Sequence, residues 1–113
     1  MANSEKRKGG EAIVVLVVTS TREEGETIAR RLVEDRLAAC VNLVPQIRSV
    51  FRWEGALCQE DESLLVIKST RDRFPALVTA VKKLHSYTVP EIIALPIVEG
   101  AEEYLRWIDE STK

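Results

Sequence analysis

The stretch from Ala39 to Thr70 narrows the possible folds more than any other part of the chain. Ala39 to Trp53 alternates over most of its length, with Val41, Leu43, Ile47, Phe51 and Trp53 on one side and Asn42, Gln46, Arg48 and Arg52 on the other. A period of two is the mark of a strand with unlike faces. Pro45 interrupts the pattern. A proline gives no N–H to a ladder, so the strand carries a bulge there or lies at an edge. Glu54-Gly55 reads as a hairpin turn, and Leu57 to Thr70 returns as a second arm, polar in CQEDES and apolar in LLVIKST. Each arm is more than ten residues long, where strands of about 5 to 6 are common. Two short helices cannot cover such arms, so the distal part with Phe51, Trp53 and Leu57 projects. Bare apolar strands pair with other chains. A closed symmetric oligomer is the economical way to shelter them.

The remaining elements fall around this hairpin. Glu11 to Thr19 (EAIVVLVVT) is a β-branched run, the pattern of a central strand buried on both faces. Ser20 and Thr21, with Glu23 and Glu24 three residues after each, form a capping-box signature. Ile28, Ala29, Leu32 and Val33 follow at helical spacing, which predicts a helix from about Arg22 to Arg36. Thr70 can cap a second helix, in which Phe74, Leu77, Val78, Val81 and Leu84 make an amphipathic stripe and Pro75 sits in the tolerant first turn. His85 to Val89 reads as a loop and Glu91 to Val98 as the fourth strand, bounded by Pro90 and interrupted by Pro96. Gly100 opens a short terminal helix carrying Tyr104, Leu105 and Ile108. The order is β-α-β-β-α-β plus a helix. The expected class is α+β: a ferredoxin-like four-stranded antiparallel sheet with helices on one face, a long central hairpin and a C-terminal helix.

The 113 residues suit one domain, expected over 11–113, with residues 1–10 as a disordered tail. Apolar residues make up 45% and charged residues 30%, with both signs interspersed, so the composition is that of a globular protein. The net charge of -2 argues against a nucleic-acid partner. So does the first strand, which offers no aromatic for base stacking. The longest apolar run, Ala12 to Val18, is too short to span a membrane. Lys6, Arg7 and Lys8 precede it without a cleavage signature, so cytoplasmic residence is expected, with Cys40 and Cys58 as reduced thiols. There is no GxGxxG, P-loop, HExxH or CxxC, and only one histidine, so the expectation is a binding module and not an enzyme.

Several segments together resemble the divalent-cation-tolerance (CutA) family: ARRLVEDRLAACVNLVP from Ala29, WEG at Trp53 to Gly55, and YTVPEIIALPI from Tyr87. VIKST at Val66 and EYLRWI from Glu103 match less strictly. The resemblance runs from about Glu11 to Thr112. It implies a ferredoxin-like subunit and a tight homotrimer whose long hairpins reach onto neighbouring subunits. It implies a link to metal tolerance, with copper or another divalent cation as the ligand. The trimer's similarity to PII signalling proteins implies a signal-transducing or small-molecule role. The family metal site, by the same resemblance, takes a cysteine at the end of the first strand and histidines at the end of the second helix. Here Val18 and Leu84 stand at two of those places, and the family's HPY is changed to His85-Ser86-Tyr87. Only His85 is left of that set.

The candidate residues follow. His85, six residues before Glu91, can share a divalent cation with that carboxylate; it can equally anchor its loop by an ordinary hydrogen bond. Glu91 is either a solvated strand-end carboxylate or part of a cleft between subunits with Trp53, Lys68 and Tyr87, where a small polar ligand would bind. Lys68 interrupts an apolar strand and needs a partner if covered, with Glu91 the obvious candidate. Cys40, among Ala38, Ala39 and Val41, reads first as core filler and otherwise as a pocket residue. Cys58 reads as the more accessible thiol. Trp53 and Trp107 read as apolar anchors. Arg48 and Arg52 face Glu60 to Glu62 across the hairpin, which predicts cross-strand ion pairs.

Overall fold

In the computed structural model, which describes residues 11–113, strand β1 (Ala12–Thr19) is the line on which the other elements are laid. It pairs antiparallel with β3 (Ala56–Thr70) on one side and with β4 (Ile92–Pro96) on the other. The edge strand β2 (Cys40–Trp53) pairs with β3, giving the order β2-β3-β1-β4. Helices α1 (Arg22–Glu34) and α2 (Phe74–Leu84) cover one face, and α3 (Glu102–Ser111) follows β4. This is the ferredoxin-like arrangement. The disordered tail expected over 1–10 lies outside the described residues.

β1 alternates in burial. Ile13, Val15, Val17 and Thr19 are buried, and the residues between them are half-covered. The buried set faces Leu65 and Ile67 of β3 and packs under Ile28 and Leu32 of α1 and Leu77 and Val81 of α2. The strand is therefore buried on one face in the single subunit, not on both. α1 lies close to the sheet because Gly25 has no side chain; a Cβ there would meet Leu43 Cδ1 at 3.0 Å and Thr19 Oγ1 at 3.1 Å. Its start is fixed by Thr21, whose hydroxyl accepts from Glu24 N–H at 3.0 Å. The helix closes at Glu34, two residues short of the predicted end. Thr70 precedes a 3₁₀ turn (Arg71–Arg73) but gives it no side-chain cap. β4 is shorter than its apolar run, ending at Pro96.

The other face carries no α1 or α2. By register, the residues on it run across the sheet in rows: Cys40, Lys68, Val14 and Leu95; then Asn42, Val66, Leu16 and Ile93; then Val44, Leu64 and Val18. Most are apolar, and Ile93 and Leu95 are each half-exposed. We call this the open face.

The hairpin turns over at Glu54 (φ 51) and Gly55 (φ 82), both left-handed, as a two-residue type I′ turn requires. Pro45 lies both on an edge strand and in a bulge. Val44 pairs with Leu64 and Ile47 with Glu62, so Pro45 and Gln46 oppose the single residue Ser63. That extra residue reverses the faces. Val41 and Leu43 point to the helices, whereas Ile47, Phe51 and Trp53 share the open-face side with Glu62, Cys58 and Ala56. The sequence reading placed all five on one side because it carried a strict period of two through the proline. Beyond the bulge the arm is two-stranded, since β1 ends at Thr19 opposite Ser63. Val50, Phe51, Trp53 and Leu57 are exposed there, and the subunit is 50 Å long for a width of 26 Å. Arg48 makes the predicted ion pair, with Asp61 at 3.1 Å. Arg52 lies opposite Leu57 and has no ion-pair partner among the described residues.

Candidate functional site

The candidate residues fall into three groups, set by how far along β3 each lies. Lys68 occupies the helix-flanked end of the open face. It is half-buried beside Val14, and its ammonium donates to Asn42 Oδ1. Cys40, its cross-strand partner, also reaches Asn42 Oδ1, with Sγ at 3.9 Å. α3 packs against β1 and β3 and brings Tyr104 to this corner. Burial first, then the nearby Cys40 thiol, raise the Tyr104 hydroxyl above its ordinary titration range. Cys40 is therefore a half-buried member of a polar corner and not core filler: its strand parity puts it on the open face, away from α1. The expected Lys68–Glu91 pair is not made within the subunit, because Lys68 stands opposite Val14 while Glu91 precedes the strand that starts opposite Val17.

The second group gathers where β1 ends. His85 closes α2, with its N–H on Val81 O, and its side chain is buried. Its Nε2 lies 2.6 Å from Val18 O, and its Nδ1 accepts from Tyr87 N–H at 3.0 Å. A carbonyl only accepts and an amide N–H only donates, so the ring is the neutral Nε2–H tautomer with both nitrogens engaged. Ser86 N–H donates to Glu24 Oε2 at 2.7 Å, and Ser20 donates to Glu24 Oε1 through both its N–H (2.9 Å) and its hydroxyl (3.0 Å). Burial pushes the Glu24 carboxyl up, but these hydrogen bonds outweigh it and hold the group below its ordinary range. The Tyr87 ring lies 4.9 Å from that of His85, and its hydroxyl donates to Glu62 Oε2 at 2.6 Å. Burial, then the Glu62 carboxylate, push the Tyr87 hydroxyl well above its usual range. Glu91 stands exposed at the same end of β1, with no ion-pair partner among the described residues.

Trp53 is alone at the hairpin tip, half-exposed and paired with Ala56. At 3.3 Å per residue, the twelve steps along β3 from Ala56 to Lys68 separate it from the polar corner by about 40 Å. One subunit thus brings together Cys40 and Lys68, and separately His85, Tyr87 and Glu91, but not the full set.

These residues do not fit a cation site within one subunit. His85 has no free lone pair, and no group of three histidine, cysteine, aspartate or glutamate side chains among the described residues could hold a metal ion. Asn42, Tyr104, Glu62 and Glu24 were missed as site residues. Asn42 carries the one available signal, since it shares the parity of Lys68 once the pairing register is known.

Fold and site together define a small ferredoxin-like subunit with an unusually long hairpin and polar groups scattered along a largely apolar open face. The family profile described as "CutA1 divalent ion tolerance protein" matches residues 13–111. The chain is 54% identical over 99 residues to the divalent-cation tolerance protein CutA of Thermus thermophilus, covering 88% of this chain and 96% of that one. It is 44% identical to the chloroplastic CutA of Arabidopsis thaliana, covering 96% of this chain but only 60% of the longer relative. The solved Thermus structure superposes with a TM-score of 0.88 at 52% identity, covering 90% and 99% of the two chains. A structure titled as periplasmic CutA from Archaeoglobus fulgidus also gives 0.88, at 40% identity, covering 90% and 99%. The chain belongs to the CutA1 divalent ion tolerance family. This is a family of divalent-cation tolerance proteins.

Proposed function

We propose that the working unit of this protein is a homotrimer, and that its ligand site is a cleft between subunits lined by Cys40, Lys68, Trp53, Tyr87 and Glu91. The observation that carries this reading is the separation of Trp53 from Lys68 by about 40 Å along one strand. Only residues of different copies can meet in one pocket of small-molecule size. The half-exposed apolar open face and the bare hairpin arm supply the surface such an assembly buries.

Within this reading the trimer responds to a small polar ligand or ion in the manner of a PII-type signalling protein. Lys68, with no carboxylate partner among the described residues of its own subunit, is the group that receives an anionic atom, from the ligand or from a neighbour's Glu91. A copper site on His85 and Glu91 is the weaker version, since the imidazole must first give up a hydrogen bond on one side. Cytoplasmic residence suits the two unpaired thiols. No helix among the described residues is long and apolar enough to cross a membrane.

Sedimentation equilibrium on the full chain tests the assembly. A single species of three times the chain mass is expected at micromolar concentration, and a folded monomer there would overturn the proposal. Copper titration of the same sample by calorimetry should show no tight site that His85→Ala abolishes. Such a site would favour the metal version.

A further inference from the structure

The β2–β3 ladder of the hairpin is interrupted at one place. Toward the body, β2 and β3 are held under α1, with Leu65 fully buried and Leu43 packed against the same core. Outward of Glu62 and Ile47, β3 has lost its β1 neighbour. Between the two lies the Pro45–Gln46 bulge, where the ladder is interrupted.

Two contacts bear on this joint, one across it and one from the body. Ser63, buried on the helix side, donates its hydroxyl to Pro45 O at 2.8 Å. Tyr87 donates to Glu62 at 2.6 Å, and Glu62 is the residue paired with Ile47, the first ladder position past the bulge. Glu62 is only 7% exposed although it lies in the polar half of its strand. Tyr87 is itself fixed. Its N–H is held by His85, His85 is held by the end of β1, and Ser86 is held by Glu24 at the start of α1.

We infer that Tyr87 is a brace: its hydroxyl, by holding Glu62, sets the angle at which the hairpin arm leaves the body. The inference rests on the trimer reading only for its consequence. Trp53 pairs with Ala56, six residues beyond the Glu62–Ile47 pair and about 20 Å away at 3.3 Å each, so a swing of ~10° at the bulge moves it by roughly 3–4 Å. That exceeds the tolerance of any hydrogen bond or close apolar contact the tip could make with a neighbour. The loop that carries His85 and Tyr87 thereby links the end of β1 to the reach of the arm. A ligand that displaced Tyr87 would loosen the arm and, with it, the assembly.

Amide exchange of the full chain, followed by mass spectrometry, tests the brace. Tyr87→Phe keeps the ring and the backbone contact to His85 and removes only the hydroxyl. Exchange in the arm, residues 46–61, should rise roughly ten- to a hundredfold, the effect of losing a hydrogen bond to a carboxylate. Exchange in β1 and α1 should stay at the wild-type rate. Glu62→Ala should reproduce the effect, and it stands in if Tyr87→Phe fails to fold. Glu62→Gln, which keeps an accepting oxygen, should behave as wild type. Unchanged arm exchange in Tyr87→Phe, or loosening shared equally by β1 and α1, would overturn the brace. Because variants are compared in the same oligomeric state, a wild-type monomer on sedimentation would defeat the trimer and leave this test intact.

Discussion

Glu24 shows how one side chain ties local chain geometry to the site. Its N–H fills the Thr21 cap, and its two carboxylate oxygens accept from Ser20 and from the Ser86 amide, so it joins the start of α1 to the loop after α2. Its carboxyl is held below the ordinary value of 4.5. A carboxyl lower in the folded than in the unfolded chain adds stability that is fully present above that ordinary value. The stability is lost as pH falls through the folded value. Urea midpoints of the wild type should therefore fall on acidification below about pH 5, and Glu24→Gln should flatten that fall. At neutral pH the same variant should cost about 1 kcal/mol, toward the low end for charged hydrogen bonds because the group is partly solvated. The cap was legible in the sequence because Thr21 and Glu24 are three residues apart and helix geometry is local. The links of Tyr87 to Glu62 and of Lys68 to Asn42 were not, since they join residues 25 and 26 positions apart. Which of three consecutive acidic residues meets Tyr87 is decided by the pairing of β3 with β1, which puts Ser63 opposite Thr19 and Glu62 on the other face, and no local spacing encodes that register.

At the scale of elements, the hairpin separates what patterning reveals from what it hides. Its two arms, its turn at Glu54-Gly55 and an irregularity at Pro45 all followed from alternation and residue type. The reversal of faces did not, because a proline announces a bulge without saying which neighbour absorbs the extra residue. Similarly, Glu91 and the residues past Pro96 read as strand from composition, but β1 pairs only Ile92 to Pro96. The turn itself makes a prediction. Glu54 and Gly55 both hold positive φ, which suits glycine and is strained for glutamate. Glu54→Asn should stabilise the hairpin by up to about 1 kcal/mol, as Asn-Gly is the preferred type I′ pair. Gly55→Ala should cost about 1–2 kcal/mol, although a Cβ there meets nothing within 4 Å. Chemical denaturation of the two variants against wild type checks both signs. A Gly55→Ala protein as stable as wild type would show that the turn is free to change type.

Across the whole molecule, the two faces of the sheet are in unlike states. The helix face holds Val15, Val17, Leu65 and Ile67 at zero exposure, while the open face offers Ile93 and Leu95 at 49% each. The sequence did not mark this difference, because β1 is β-branched at both parities and β-branched residues suit either side. A charge placed on Leu95 separates the two ways of reading the open face. In an isolated subunit Leu95→Glu puts a carboxylate on a half-solvated position of an edge strand, and the cost to folding should be small, within about 0.5–1 kcal/mol. If neighbouring copies cover that face, the same carboxylate is buried without a partner and costs several kcal/mol at each of three equivalent places. Sedimentation of Leu95→Glu should then show folded monomer at concentrations where the wild type is assembled. Its circular dichroism should be unchanged, and its denaturation midpoint should no longer depend on protein concentration. An assembled Leu95→Glu protein of wild-type stability would mean that the open face stays in water, leaving the hairpin arms to hold the copies together by themselves.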